Sequence, residues 1–361
     1  MKKTIGFLGI LFFLGIVVYV RFFSDSSMIS PLSSLPKPTN STPTMTPIIQ
    51  STSSSLFVPY WSFINKKINT SGFDTVIYFG ISADKNGIDT SDLGYKKISQ
   101  FNKLIPVNTH TLLTVRMINS EINSKVLEDK EIQEKIIQES IALVQKYHFS
   151  GIVFDFEINA LAFDSVIKNI NIFYTSFSRQ VRQNNLSFAV TIYGDTFYRV
   201  RPYDLATIAK NADQLYIMTY DFHKARGNPG PNFPLFGKAT YGYDLPTMID
   251  DFSQKTSLEK VVIVFGLFGY DWIVDDKNQS IATGVPLSYA EINTKYLEKC
   301  LGKNCTIQHE STSLESHIVY TDTDGKKHMI WFEDPKSIEK KKAFLSTKGI
   351  NATGIWAYSY Y

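Results

Sequence analysis

The chain is poor in the residues that carry redox, metal and nucleotide chemistry. Its 361 residues include only 2 cysteines and 6 histidines. Cys300 and Cys305 stand near His309 and His317, but the spacing matches no common zinc module, so no metal is expected. No glycine fingerprint follows the first strand-like run, which argues against a dinucleotide site, and no cofactor of any kind is expected. A formal net charge of +3 is too small to draw nucleic acid. The one basic run, Lys340-Lys341-Lys342, lies between apolar residues at helical spacing and reads as the solvated face of a helix.

Apolar residues make up 43% of the chain, enough for one large barrel or two average domains. Lys2 and Lys3 precede an uncharged, mostly apolar run from Ile5 to Val20. At about 1.5 Å per residue that run spans roughly 24 Å, slightly short of a ~30 Å hydrocarbon layer. Ser24-Asp25-Ser26 makes a poor cleavage site, so residues 1–23 are expected to be an uncleaved single-pass anchor, and cleavage would instead give a secreted protein. The leading lysines keep the short N-terminal end in the cytoplasm and put the rest outside the cell. Residues 24–55 are rich in Ser, Thr and Pro and read as an extended tether. An oxidising exterior permits a Cys300–Cys305 disulfide closing a small loop.

Beyond the tether, strand-like and helix-like blocks alternate. Eight short β-rich runs are legible: Leu56–Tyr60, Asp74–Gly80, Thr111–Met117, Gly151–Glu157, Leu186–Tyr193, Gln214–Tyr220, Val261–Leu267 and Thr353–Tyr358. Helical blocks separate most of them, the pattern of an α/β fold built as a (β/α)8 TIM barrel over residues 56–361. Residues 275–332 read as a small α+β insertion between the seventh and eighth strands, with a hairpin at Asp322–Gly325.

Within Gly151–Glu157, alternation turns Val153, Asp155 and Glu157 into the barrel and Ile152, Phe154 and Phe156 towards the outer helices. Two carboxyls thus end an apolar strand where a TIM barrel opens its active site. Burying adjacent acids is costly unless they are bonded, so this pair points to catalysis.

His148 to Glu157 resembles the DxxDxDxE signature of glycoside hydrolase family 18, most closely its bacterial spore-cortex and germination branch. Its last two acids fall on Asp155 and Glu157, while Ser150 and Val153 replace the first two. Met218-Thr-Tyr220-Asp221, Gly230-Pro231, Gly266 to Trp272, Trp331 to Asp334 and Gly354-Ile-Trp356 resemble further blocks of that family, in order. The resemblance implies retaining hydrolysis of β-linked 2-acetamido sugars, with the substrate's acetamido oxygen as nucleophile. It implies Glu157 as the acid and base, Asp155 on the acetamido N–H and Tyr220 on the acetamido oxygen. Asp221, Met218 and Trp356 would hold the sugar, and Tyr60, Trp272 and His223 would reach it from the loops. The partners implied are N-acetylglucosamine-containing glycans, peptidoglycan before chitin, bound by a monomer. With Val153 offering no carboxylate, Asp155 is expected to stay turned towards Glu157 and to share one proton with it directly. A catalytically dead sugar-binding protein on the same barrel is the rival reading. Such proteins tend to lose the terminal Glu, which this chain keeps. A structural envelope protein would show no sugar dependence at all.

Overall fold

A computed structural model describes residues 53–361. The expected anchor at 1–23 and nearly all of the expected tether lie outside the described residues, among which no helix is long and apolar enough to cross a membrane. Ser54 and Ser55 already belong to the first strand, so the barrel starts two residues before the expected boundary.

Seven barrel strands come first: β1 (Ser54–Pro59), β2 (Thr75–Asp84), β3 (His110–Met117), β4 (Gly151–Phe156), β5 (Ser187–Tyr193), β6 (Gln214–Thr219) and β7 (Val261–Gly266). A second sheet follows, of β8 (Phe268–Ile273), β9 (Val285–Ser288), β10 (Lys303–His309), β11 (Ser316–Thr321) and β12 (Lys327–Phe332). The chain then returns to the barrel as β13 (Thr353–Trp356). Barrel order is β1-β13-β7-β6-β5-β4-β3-β2, and a β1–β2 pairing closes the ring with every neighbour parallel. In this eight-membered ring β4 and β13 lie four strands apart either way round, on opposite walls.

The outer helices are α1 (Leu93–Leu104), α2 (Ser120–Glu128), α3 (Lys130–Tyr147), α4 (Asp164–Gln183), α5 (Leu205–Asn211), α6 (Leu245–Ser253) and α7 (Pro335–Thr347). The longer ones follow from caps and periodicity. Asp129 accepts from the backbone N–H groups of Glu131 and Ile132 to start α3, and His148 ends it in the left-handed region at φ 60°. Between these caps Ile136, Ile137, Ile141 and Val144 form the buried face. α1 crosses β2 so closely that a Cβ on Gly94 would lie 1.7 Å from the Gly80 carbonyl oxygen, so only glycine fits there. Two apolar layers result. The outer one holds Ile152, Phe154 and Phe156 against Phe173, Tyr174 and Phe177 of α4. The inner one gathers Phe57, Ile77, Phe79, Leu112, Val153 and Val264.

Two expectations change. The insertion begins at Phe268 rather than 275, because after Gly266 the chain leaves the barrel and pairs antiparallel within the second sheet. The run from Val261 to Tyr270 carries no charge, so composition alone marks no boundary between the two sheets. The second correction is Lys341, which lies on α7 as a helical residue but is only 1% exposed. Its ammonium meets the buried carboxylates of Glu315 (2.7 Å) and Glu333 instead of solvent. Cys300 and Cys305 are joined by a disulfide at the entry to β10.

Candidate active site

β4 delivers its acids to the barrel mouth as alternation requires. Asp155 is 2% exposed, and Glu157, one residue beyond the strand, is half-buried. The backbone at Glu157 is held on both sides: its N–H donates to the Met117 carbonyl at 2.8 Å and its carbonyl accepts from Asn123 Nδ2 at 2.6 Å. Tyr203 adds a brace, its hydroxyl donating to the Phe156 carbonyl (2.9 Å) and accepting from the Ile158 N–H (3.1 Å).

The next strand supplies the hydroxyls. On β5 the inward side chains Thr191 and Tyr193 donate to Asp155 Oδ1 and Glu157 Oε2 respectively. Each acid therefore has its own neutral donor on the neighbouring strand, while the Glu157 charge still acts on Asp155. Val153 itself packs in the inner apolar layer.

Burial raises the proton affinity of both acids. For Asp155 desolvation dominates and the Glu157 charge adds to it, opposed by the Thr191 hydroxyl and by Arg116. Arg116 stands level with Asp155 on β3 and pairs with Asp92 at 2.9 Å. For Glu157 desolvation again leads; the Tyr193 hydroxyl, Lys224 and Arg201 oppose it, while Asp221 adds to it. Tyr193 is in turn covered by cations. The Arg201 guanidinium lies 3.7 Å from its ring centroid and Lys224 Nζ lies 5.5 Å away.

These directions fix a sign. The Tyr193 hydroxyl stabilises ionised Glu157, so Tyr193→Phe should raise the Glu157 pKa further. An acid lost at higher pH moves the basic limb of kcat/KM upward, by roughly 0.5 to 1 pH unit. An unmoved limb in a folded variant would contradict the contact's role.

Opposite β4, β13 ends in Trp356. Its ring meets Phe79 edge-on at 4.7 Å and lies nearly parallel to Tyr220 at 6.4 Å. Burial, together with Asp155, Asp221 and Glu157, holds the Tyr220 phenol far above its usual range, so it remains a donor at any working pH. Asp221 adopts the left-handed region at φ 58°; its N–H donates to Asn232 Oδ1 (2.8 Å) and its Oδ1 accepts from the Tyr270 hydroxyl (2.7 Å). A cleft of about 430 Å³ opens here, lined by Trp61, Asp221, Phe268, Tyr270, Trp356 and Tyr360 among others.

Asp155, Glu157, Tyr220, Asp221 and Trp356 thus share the mouth. Met218 lies a strand step below Tyr220, 8% exposed, its carbonyl accepting from the Gly194 N–H at 2.9 Å. Tyr60 stands at the rim, against Trp61 at 4.9 Å and under the Arg116 guanidinium at 5.6 Å. One expected sugar contact is corrected. Trp272 is fully buried on β8 among Val274, Met329 and Trp331, with Nε1 donating to the Ala225 carbonyl at 3.1 Å, so it has no face for a sugar. His223 braces its own loop. Its Nδ1 is 2.8 Å from the Pro231 carbonyl, and a Cβ on Gly230 would strike its ring at 2.4 Å. Thr191, Tyr193, Tyr203, Arg201, Lys224 and Tyr270 were not singled out from sequence. For Thr191 and Tyr193 the signal was available, since alternation along β5 turns both inward. Among the described residues, no cluster of His, Cys, Asp and Glu could hold a metal.

Comparison with known proteins agrees with this geometry. A Bacillus subtilis (strain 168) protein described as a sporulation-specific glycosylase, YdhD, is 25% identical over 261 residues, covering 70% of this chain and 57% of its own length. The cortical fragment-lytic enzyme of Bacillus cereus is 23% identical over 290 residues, covering 77% of this chain and 63% of its own length. The chain therefore spans less than two thirds of either relative. In fold it is similar to a GH18 chitinase from Cycas revoluta, solved in complex with (GlcNAc)3. There the TM-score is 0.71 at 19% identity, over 85% of this chain and 95% of that one. The sequence model of glycosyl hydrolases family 18 matches residues 54–360, from the first barrel strand through the aromatic residues of the mouth. The chain belongs to that family.

Proposed function

We propose that the enzyme hydrolyses β-linked 2-acetamido glycans with retention, by substrate-assisted catalysis, and that its substrate is cell-wall peptidoglycan. The observation that carries this reading is Glu157, held by burial towards the protonated form beside Asp155, with a Trp356–Tyr220 aromatic pair at the same mouth. Protonated Glu157 gives its proton to the glycosidic oxygen while the acetamido oxygen attacks the anomeric carbon and the C–O bond breaks. The Tyr193 hydroxyl stabilises the carboxylate left behind. Asp155 accepts the acetamido N–H and offsets the positive charge of the oxazolinium ion. Tyr220 donates to the acetamido oxygen, and Asp221 and Trp356 hold the sugar. Glu157 then takes a proton from the water that opens the ring. The names of the two bacterial relatives support a wall glycan, and the chitinase solved with (GlcNAc)3 supports the 2-acetamido requirement.

The test is product analysis by mass spectrometry, with NMR of the new anomer, after incubation with peptidoglycan strands and chitin oligomers. Only bonds following a 2-acetamido sugar should break, giving the β anomer first. Equal cleavage of glucose-based β-linked oligomers would sink the mechanism, and binding without cleavage would favour a sugar-binding protein. Residues 1–23 are proposed as the anchor and 24–55 as the tether that hold the barrel outside the cell, a placement tested by whether the exported chain stays with washed membranes.

A further inference from the structure

The cations around the mouth differ in one respect. Arg116 is paired with Asp92, and Arg199 and Arg201 are both paired with Asp195. Lys224 is exposed, and its ammonium has no ion-pair or hydrogen-bond partner among the described residues. It projects over the ring of Tyr193, whose hydroxyl is bonded to Glu157. Arg201 reaches the same ring, so two cations stand against the tyrosine that bonds the acid. Lys224 opposes ionisable groups on either side of it, acting electrostatically on both Glu157 and Asp221. It thus stands on the β5–β6 side of the mouth, within electrostatic reach of both the acid and Asp221.

We propose that Lys224, backed by Arg201, recognises a carboxylate on the sugar adjoining the scissile bond. The enzyme then prefers 2-acetamido glycans bearing an ether-linked acid over uncharged ones of the same backbone. This rests on the hydrolase reading above and narrows its substrate class. The physical argument is a charge without a partner. An ammonium that no acid among the described residues pairs is available to a carboxylate brought by the substrate, and complementary charge across a binding surface separates acidic from neutral ligands. The carboxyls nearest to it are Glu157 and Asp221, both shifted by burial towards the protonated form. Asp195 is already occupied by its two arginines.

The experiment compares peptide-free peptidoglycan glycan strands with the same strands after their carboxyls are reduced to alcohols. The readout is the ratio of kcat/KM for the two, measured within each variant, so that any general loss cancels. The wild-type ratio should be about tenfold in favour of the acid and should shrink as salt rises. Lys224→Met should bring it close to one, and Lys224→Arg should keep most of it. Equal rates on both strands by the wild type, or a Lys224→Met ratio unchanged from wild type, would overturn the inference and leave the hydrolase reading standing. Cleavage of neither strand would overturn both.

Discussion

Glu157→Gln is expected to lower turnover at least about a thousandfold, equivalent to roughly 4 kcal/mol of lost transition-state stabilisation. The amide keeps the shape of the side chain and an oxygen for the Tyr193 hydroxyl, but has no proton of suitable acidity to give. Sugar binding should survive, because Trp356, Tyr220 and Asp221 lie across the mouth from β4 and are held by contacts that do not involve Glu157. Steady-state kinetics on a soluble oligomer, with binding measured by calorimetry on the same preparation, would separate the two effects. Residual hydrolysis within about tenfold of wild type would remove Glu157 as the acid.

Lys341→Met should produce the largest loss of stability. The lysine is 1% exposed, and its ammonium lies between Glu315 and Glu333, both with no exposed surface. Glu315 also accepts from the backbone N–H groups of Asn232 (2.5 Å) and Phe233 (2.8 Å), and Glu333 accepts from Ser337. Removing the cation leaves two buried carboxyls facing one another, a change that costs about 3–5 kcal/mol where one partner of a buried pair is lost. In a domain of this size that lowers Tm by on the order of 10 °C. The pH dependence follows from Glu333, whose pKa burial raises and Lys341 lowers. The folded state holds that proton above the pH at which the unfolded chain releases it, so stability falls as pH rises through the window between the two values. Without Lys341 the window widens upward, and the variant should lose more at pH 8 than at pH 5. Adding Glu315→Gln and Glu333→Gln should recover part of the loss. Thermal melts in which Lys341→Met matches wild type at pH 8 would contradict the charge assignment.

Much of the barrel was legible because strand alternation and helix periodicity are local. The α3 boundaries Lys130–Tyr147 could be read from its periodic apolar face, and the placement of Asp155 and Glu157 from period two along β4. What could not be read depends on residues distant in sequence. Lys341 looks solvated beside Lys340 and Lys342; only Glu315, 26 residues earlier, and Glu333, 8 earlier, make its burial tolerable. Trp272 matched a family block in sequence, yet the switch of β8 into the second sheet turns its ring into a packed layer. The donors to the two acids were half legible. Alternation turns Thr191 and Tyr193 inward, but they belong to the neighbouring strand and become partners of Asp155 and Glu157 only once the barrel closes.

The link from Glu315 to Asn232 bears on how this protein could be rebuilt. Asn232 accepts from the Asp221 N–H and donates through Nδ2 to the carbonyls of Gly266 and Phe268 (3.1 and 3.2 Å). A side chain near the start of β11 thereby reaches, through one asparagine, the left-handed turn that aims Asp221. The second sheet cannot be lifted out or exchanged as a cassette without letting that turn relax. A chimera that borrows this lobe, or replaces it with another, must carry positions 221, 232, 315, 333 and 341 as one transplanted set.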